Sequence, residues 1–229
     1  MAGQKIRQLL TLPLMNLHAD HKRRFIPFRL KRTTEAGACG SILGEPPQGV
    51  LPARIDEKTQ YFATLNLMDG IDVSLFITFD YQSEQGPFDF FAGTYVLHDQ
   101  SSPLVQFVVH QRVNKRDSAS VLKSESSALG FVFGTPGMDP ECLTFEALGD
   151  PGIYTDHKIG GVPSFSQLEG DVVKVPDLLC GGHVHLLQLN MPSAATDTLI
   201  HGMWPFGEST FHIFSKKVRG DFEFRYIWA

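Results

Sequence analysis

The stretch Cys180-Gly-Gly-His-Val-His-Leu-Leu-Gln-Leu-Asn190, CGGHVHLLQLN, decides how the fold is read. Cys180, His183 and His185 fall close together, as the ligands of short metal sites often do. A structural zinc site needs four converging Cys or His ligands. Cys180 has no cysteine partner at two-residue spacing, and the other ligands would have to come from His157, His201 or His212, far along the chain. The alternative is a glycine turn, Gly181-Gly182, leading into a strand. On a strand His183 and His185 share one face and Val184 and Leu186 take the other. That reading predicts two solvent-facing histidines and a buried, apolar Cys180.

A second stretch favours the strand. FATLNL at 62–67 echoes HLLQLNM at 185–191, sharing Leu-Asn and an apolar residue after it. Each is followed, after a loop, by a phenylalanine-rich segment, VSLFITFDY or STFHIFSKK. The echo predicts two related halves, each carrying a β-meander. Alternation supports it. Val73, Leu75, Ile77 and Phe79 interleave with Ser74, Phe76, Thr78 and Asp80, a period of two rich in β-branched and aromatic residues. Val105, Phe107 and Val109 share one face of LVQFVVHQRV, and Gln106, Val108 and His110 the other. GTYVLHD, DTLIHGMW and FEFRYIW read as further strands. RRFIPFRLKR reads as an edge strand because Pro27 cannot donate to a ladder.

Elsewhere the punctuation differs. Residues 33–53 are rich in Gly, Pro and Ala and read as a long loop. KIRQLLTLPLMNL starts as a helix that Pro13 ends. Residues 114–130 have partly helix-like spacing. Asp139-Pro140-Glu141 is a helix start, with Gly149 as its end. GFVFGTPG at 130–137 lacks the spacing of a phosphate-cradling loop.

The 229 residues suffice for a core without staples. Hydrophobic residues make up 42% and charged residues 20%, an ordinary globular balance. Eighteen phenylalanines belong in a core or between packed sheets. The net charge of −5 gives no basic footprint for nucleic acid and suits a basic partner. Three scattered cysteines, Cys39, Cys142 and Cys180, argue against a disulfide framework and for the cytoplasm. LLTLPLMNL is a poor signal peptide, interrupted by Pro13 and Asn16 and followed by HADHKRR. No run approaches the roughly 18 apolar residues of a membrane span.

One set of motifs resembles a known family. Gly160, Gly161, Pro163 and Gln167 are followed by Leu187-Gln188, then by Trp204, Gly207, Phe211 and Ile213, and finally by Tyr226 and Trp228. Their order resembles the C-terminal half of the YwqG-like family, although Pro205 departs from its Trp-Gly turn. FATLNL with LFITFDY looks like the first-half counterpart. The resemblance covers about residues 60–229 and leaves 1–59 as an extension and loop. It implies an α+β fold, mainly antiparallel β, with two related β-meander halves, about 60–113 and 153–229, packed together with a few short helices. It implies no catalytic activity. Similar members occur among immunity proteins beside secreted bacterial toxins.

Two functions follow as expectations. The first is a non-enzymatic binding protein, an immunity protein that occludes a cognate toxin, a basic one such as a nuclease, through Asp69, Asp72, Glu84, Asp89, Phe90 and Phe91. The second is a small-molecule-binding domain or hydrolase with a cleft between the halves, lined by His157, Gln167, His183, His185 and Gln188. A Cys180 nucleophile with His183 or His157 and Asp156 is a weaker option. Gln167 and Gln188 have a plainer role too, satisfying buried backbone groups near the Gly160-Gly161 turn. No cofactor, metal or catalytic set is assigned, and the oligomeric state stays open.

Overall fold

A computed structural model describes residues 24–32, 41–42, 44–68, 70–78, 95–123, 129–138, 157–165, 168–190 and 209–229. In chain order its strands are β1 (Arg24–Arg32), β2 (Ser41–Ile42), β3 (Thr59–Met68), β4 (Ile71–Thr78), β5 (His98–Asp99) and β6 (Val105–Gln111). Then come β7 (Leu129–Phe133), β8 (Gly137–Met138), β9 (Lys158–Gly160), a 3-10 turn (Gly170–Lys174), helix α1 (Val175–Cys180), β10 (Val184–Leu189), β11 (Phe211–Val218) and β12 (Asp221–Trp228). All pairings are antiparallel, in the order β5-β12-β11-β10-β9-β1-β7-β2-β3-β4-β6. The protein is therefore α+β and mainly antiparallel, with two β-meanders, β3-β4-β6 and β10-β11-β12.

The strands form two sheets joined by β1. Phe25–Pro27 pair with β9, and Phe28–Arg32 pair with β7. β1 is thus the seam of the fold and not the edge that Pro27 suggests. Proline fits there because the neighbour on one side changes at that point: β8 pairs with Arg24 and Phe25, and β7 only from Phe28 onward. Gly134 N–H donates to Pro27 C=O across the break, at 2.7 Å.

The sheets pack face to face over one apolar core. Phe62, Leu65, Leu75 and Val105 come from one meander, and Leu187, Phe211, Ile213 and Trp228 from the other. Phe62 meets Phe211 edge-on at 6.1 Å, and Phe107 stacks on Phe224 at 4.7 Å. Burying each such side chain contributes roughly 1.5–3 kcal/mol. The outer face of the second sheet is covered by residues 162–165 and 168–179, through Val162, Phe165, Val172, Val175 and Leu179. The outer face of the first is covered by Val50, Leu122 and Val113.

The two meanders share a bulge. Tyr61 pairs with Phe76 and Ala63 with Leu75, so Phe62 is an extra residue. His185 pairs with Phe214 and Leu187 with Ile213, so Leu186 is an extra residue. Setting Leu65-Asn66 on Leu189-Asn190 places Tyr61 on His185 and Phe62 on Leu186. A bulge puts two residues opposite one and lets neighbours point the same way. Phe62 and Ala63 both enter the core, as do Leu186 and Leu187. The outward positions then become Tyr61 and Thr64 in one strand, His185 and Gln188 in the other.

Several expectations change. Strict alternation makes His183 the face partner of His185, but β10 begins at Val184 and the bulge substitutes Gln188. His183 and His185 are 7% and 3% exposed, not solvent-facing, and Cys180 is exposed, not buried. β2 lies in the expected loop 33–53, and β7 and β8 lie in the glycine-rich stretch. GTYVLHD contributes only β5. The expected helices before Pro13 and after Asp139, and the strand DTLIHGMW, lie outside the described residues. Among the described residues no helix is long and apolar enough to cross a membrane.

Candidate functional site

The outer face of the second sheet carries a buried polar row. Register places Lys158 beside Gln188 and Gln188 beside His212, across β9, β10 and β11. All three are fully enclosed, and His185 joins them through the bulge. Residues 162–165 form part of the lid, and the row fixes that lid in place. Ser164 N–H donates to Gln188 Oε1 at 3.0 Å, and Gln188 Nε2 donates to Ser164 Oγ at 3.1 Å. The Gln188 amide thus satisfies buried backbone close to Gly160-Gly161, both of which have positive φ. Gln188→Leu is expected to strip Ser164 N–H of its acceptor and lower stability by about 1–3 kcal/mol. Urea unfolding measures the loss, and limited proteolysis within 161–165 reports the loosened lid.

The two histidines form an ordered pair. His185 Nδ1 lies 3.1 Å from Gly160 C=O, which can only accept, so Nδ1 carries the proton and Nε2 its lone pair. His212 Nδ1 lies 3.3 Å from that Nε2 and must donate to it. The His212 Nε2 lone pair is then left enclosed, with no hydrogen-bond partner among the described residues, beside the Phe165 ring at 4.2 Å. Burial, and then the nearby Lys158 ammonium, push the His185 pKa down to about 3. Burial, His185 and Lys158 hold His212 well below the ordinary histidine value. Both rings stay neutral at physiological pH, far from the range that suits a general base.

The matching positions of the first sheet make a hydrogen-bonded row of different chemistry. Arg116 Nη1 donates to the Tyr61 hydroxyl at 3.2 Å, which lies 2.8 Å from Thr64 Oγ1. Thr64 reaches Ser74 Oγ at 2.8 Å, and Ser74 reaches His110 Nε2 at 2.8 Å. Each half therefore uses the outward side of its bulged strand for an internal polar network.

The remaining sequence candidates scatter. His157 is half-buried, stacked on Phe28 at 5.4 Å, and its Nδ1 accepts from Asn190 N–H at 3.1 Å. His183 stands on the other side of α1's turn, its Nε2 3.7 Å from Glu223, and burial lowers its pKa. The interior between the halves is filled by apolar side chains. Asp72 is buried and ion-paired to Arg112 at 3.3 Å, so it offers no contact surface. Gln167, Asp69, Glu84, Asp89, Phe90 and Phe91 lie outside the described residues, as does Asp156. Among the described residues no cluster of His, Cys, Asp or Glu is placed to hold a metal ion.

An open depression of about 460 Å³ lies elsewhere, where β5 and the β11–β12 turn meet. Asp99, Asp221, Glu223, Arg219 and Arg225 line it. Arg225 donates to Glu223 Oε1 at 2.8 Å and to Asp99 Oδ2 at 3.3 Å. Ser101 donates to Asp99 from its hydroxyl and its N–H and holds that carboxyl below its usual range. The turn is tight: Arg219 and Gly220 both have positive φ, 52° and 101°, the geometry of a two-residue hairpin. No sequence signal joins these residues, since Asp99 and Arg225 meet only through the β5–β12 pairing.

The described fold is a double-meander β-sandwich with a buried histidine pair and a charged surface depression. No protein-family model, curated protein or solved structure matches the chain.

Proposed function

We propose that the protein is a non-enzymatic binding protein that neutralises a cognate bacterial toxin by direct contact. The observation that carries this reading is the division of polar groups. His185, His212 and Gln188 are enclosed beneath the lid and bonded to backbone or to one another, whereas Asp99, Asp221 and Glu223 line an open depression together with Arg219 and Arg225. Exposed carboxylates on a chain of net charge −5 favour encounter with a basic surface. The likeness to the YwqG-like family, with its immunity-associated members, points the same way. The small-molecule or hydrolase alternative places its ligand against His183 and His185, which are enclosed and whose pKa values burial lowers.

The test is co-expression with the product of the adjacent gene. Rescue of growth and a stable complex are expected. Paired Asp221→Lys and Glu223→Lys changes should slow association about tenfold or more at low salt, with less effect at high salt. A non-toxic neighbour, toxicity that persists on co-expression, or an association rate indifferent to both charge reversals would overturn the reading.

A further inference from the structure

The two outermost edges of the fold are treated differently. β12 is shielded: β5 pairs with Arg225 and Tyr226, Tyr95 N–H donates to Trp228 C=O at 2.9 Å, and Phe224 N–H donates to Gln100 Oε1 at 3.2 Å. Among the described residues β6 ends the other sheet with no strand beyond it. The bonds Arg112 N–H to Gly70 C=O and Thr78 N–H to Leu104 C=O fix its polarity. With the β4–β6 register, they show that residues 104, 106, 108, 110 and 112 bond to β4. Val105, Phe107, Val109 and Gln111 therefore turn their backbone groups outward. One of those groups is hydrogen-bonded and another is covered. Gln111 C=O accepts from His110 Nδ1 at 2.7 Å, and Val105 N–H faces the Tyr226 hydroxyl without meeting full hydrogen-bond geometry. The N–H and C=O of Phe107 and Val109 have no partner among the described residues.

Edges that stay single are normally blunted by Lys, Pro or a bulge. β6 reads VQFVVHQ, with no Asp, Glu, Lys, Arg or Pro, and its register with β4 is unbroken. Val109 is 42% exposed.

We propose that β6 pairs antiparallel with β6 of a second copy of this chain, with Val108 on the two-fold axis. That register sets Phe107 opposite Val109 of the other copy, an aromatic and β-branched pair of the kind that stabilises sheets. Phe107 and Val109 exchange both their N–H···O=C bonds across the axis, and Gln111 N–H reaches Val105 C=O. Val105 N–H, covered by the Tyr226 hydroxyl, and Gln111 C=O, bonded to His110, fall opposite each other, so neither copy gives up an existing contact. Sliding by two residues points Phe107 N–H at the occupied Gln111 C=O. Sliding by one presents the groups already bonded to β4. The self-complementary register selects a second copy over an unrelated strand.

The full-length protein is tested by sedimentation and by hydrogen exchange at several concentrations. A dimer is expected, with Phe107 and Val109 amides slowing as concentration rises. Val109→Pro deletes only an outward N–H and should give a monomer with native circular dichroism. Val109→Lys, at the exposed position, should weaken the dimer roughly tenfold or more without touching the ladder. Val108→Pro removes a bond to β4 and should unfold the sheet edge instead. A monomeric wild type at about 0.5 mM, protection of Phe107 and Val109 that is independent of concentration, or a dimer unaffected by Val109→Lys overturns the proposal. So does a monomer in which an added foreign strand peptide, and not a second copy, protects those amides.

Discussion

Lowering the pH from 7 to 5 should remove about 2 kcal/mol of folding stability through His185, with a further loss of the same sign through His212. Both imidazoles have folded pKa values depressed below the ordinary value, His185 to about 3. Depression means that the unfolded chain binds the protons first. Stability from these groups is fully present above the unfolded value of about 6.5 and declines as pH falls below it. For His185 the decline continues until about pH 3, where the folded form also protonates. Across two units His185 contributes about 2 kcal/mol, because it stays neutral in the fold while its unfolded counterpart charges, and His212 acts in the same direction. The structural cause is specific. An added proton would have to sit beside the Lys158 ammonium, in a row closed over by the Ser164 lid.

The environment limits other contributors. Asp99 and Asp171 have lowered values and titrate below this window. Asp72, raised by burial against the pull of Arg112, acts in the opposite sense. His183 is also depressed by burial and opposed by Glu223, so it adds a smaller share of the same sign. Urea unfolding at half-unit pH steps measures the slope. His185→Leu should take about 2 kcal/mol out of the loss between pH 7 and 5, and His212→Leu should reduce it as well. An unchanged slope in both variants would show that other groups carry the acid sensitivity.

What the sequence shows of this architecture is its alternation. Val73 to Ile77 and Val105 to Val109 announce strands, and Leu65-Asn66 against Leu189-Asn190 announces a repeated unit. These are local patterns, set by the period of two. The bulge is invisible to that period. His185 and Gln188 share a face at a spacing of three, so reading alternation from His183 pairs the wrong residues. The shared insertion of Phe62 and Leu186 becomes legible only once partners are assigned. β1 misleads for a related reason: Pro27 excludes a continuous ladder, yet a seam between two sheets offers a break inside the fold. α1 is too short, at Val175–Cys180, to show a helical period. The depression at Asp99, Glu223 and Arg225 depends on the pairing of β5 with β12, a contact between distant segments that no local pattern encodes. Gln188 was the readable part of the site, since a glutamine beside a glycine turn has a physical reason to hold that turn's backbone.

Deleting Leu186 should leave a folded protein, whereas deleting Ile213 should leave none. Leu186 is the extra residue of its strand, so its removal keeps His185 opposite Phe214 and Leu187 opposite Ile213. His185 and Gln188 stay outward, and Leu187 and Leu189 stay in the core. The loss is one buried leucine side chain and some local twist, about 2–5 kcal/mol. Ile213 has no spare residue beside it. Removing it slips one end of β11 by a position and turns every side chain there to the opposite face. In one direction Phe211 leaves the core and His212 enters it, opposite Tyr226. In the other, Phe214 moves off the helix-covered face and Ser215 replaces it. Either slip exceeds the 5–15 kcal/mol that holds a typical domain together. Circular dichroism and cooperative thermal melting distinguish the two deletions. Deletion of Phe62 provides the control in the first meander: it too should fold, because its bulge occupies the matching place. A cooperative transition in the Ile213 deletion, or none in the Leu186 deletion, would show that the bulges do not set the faces of these sheets.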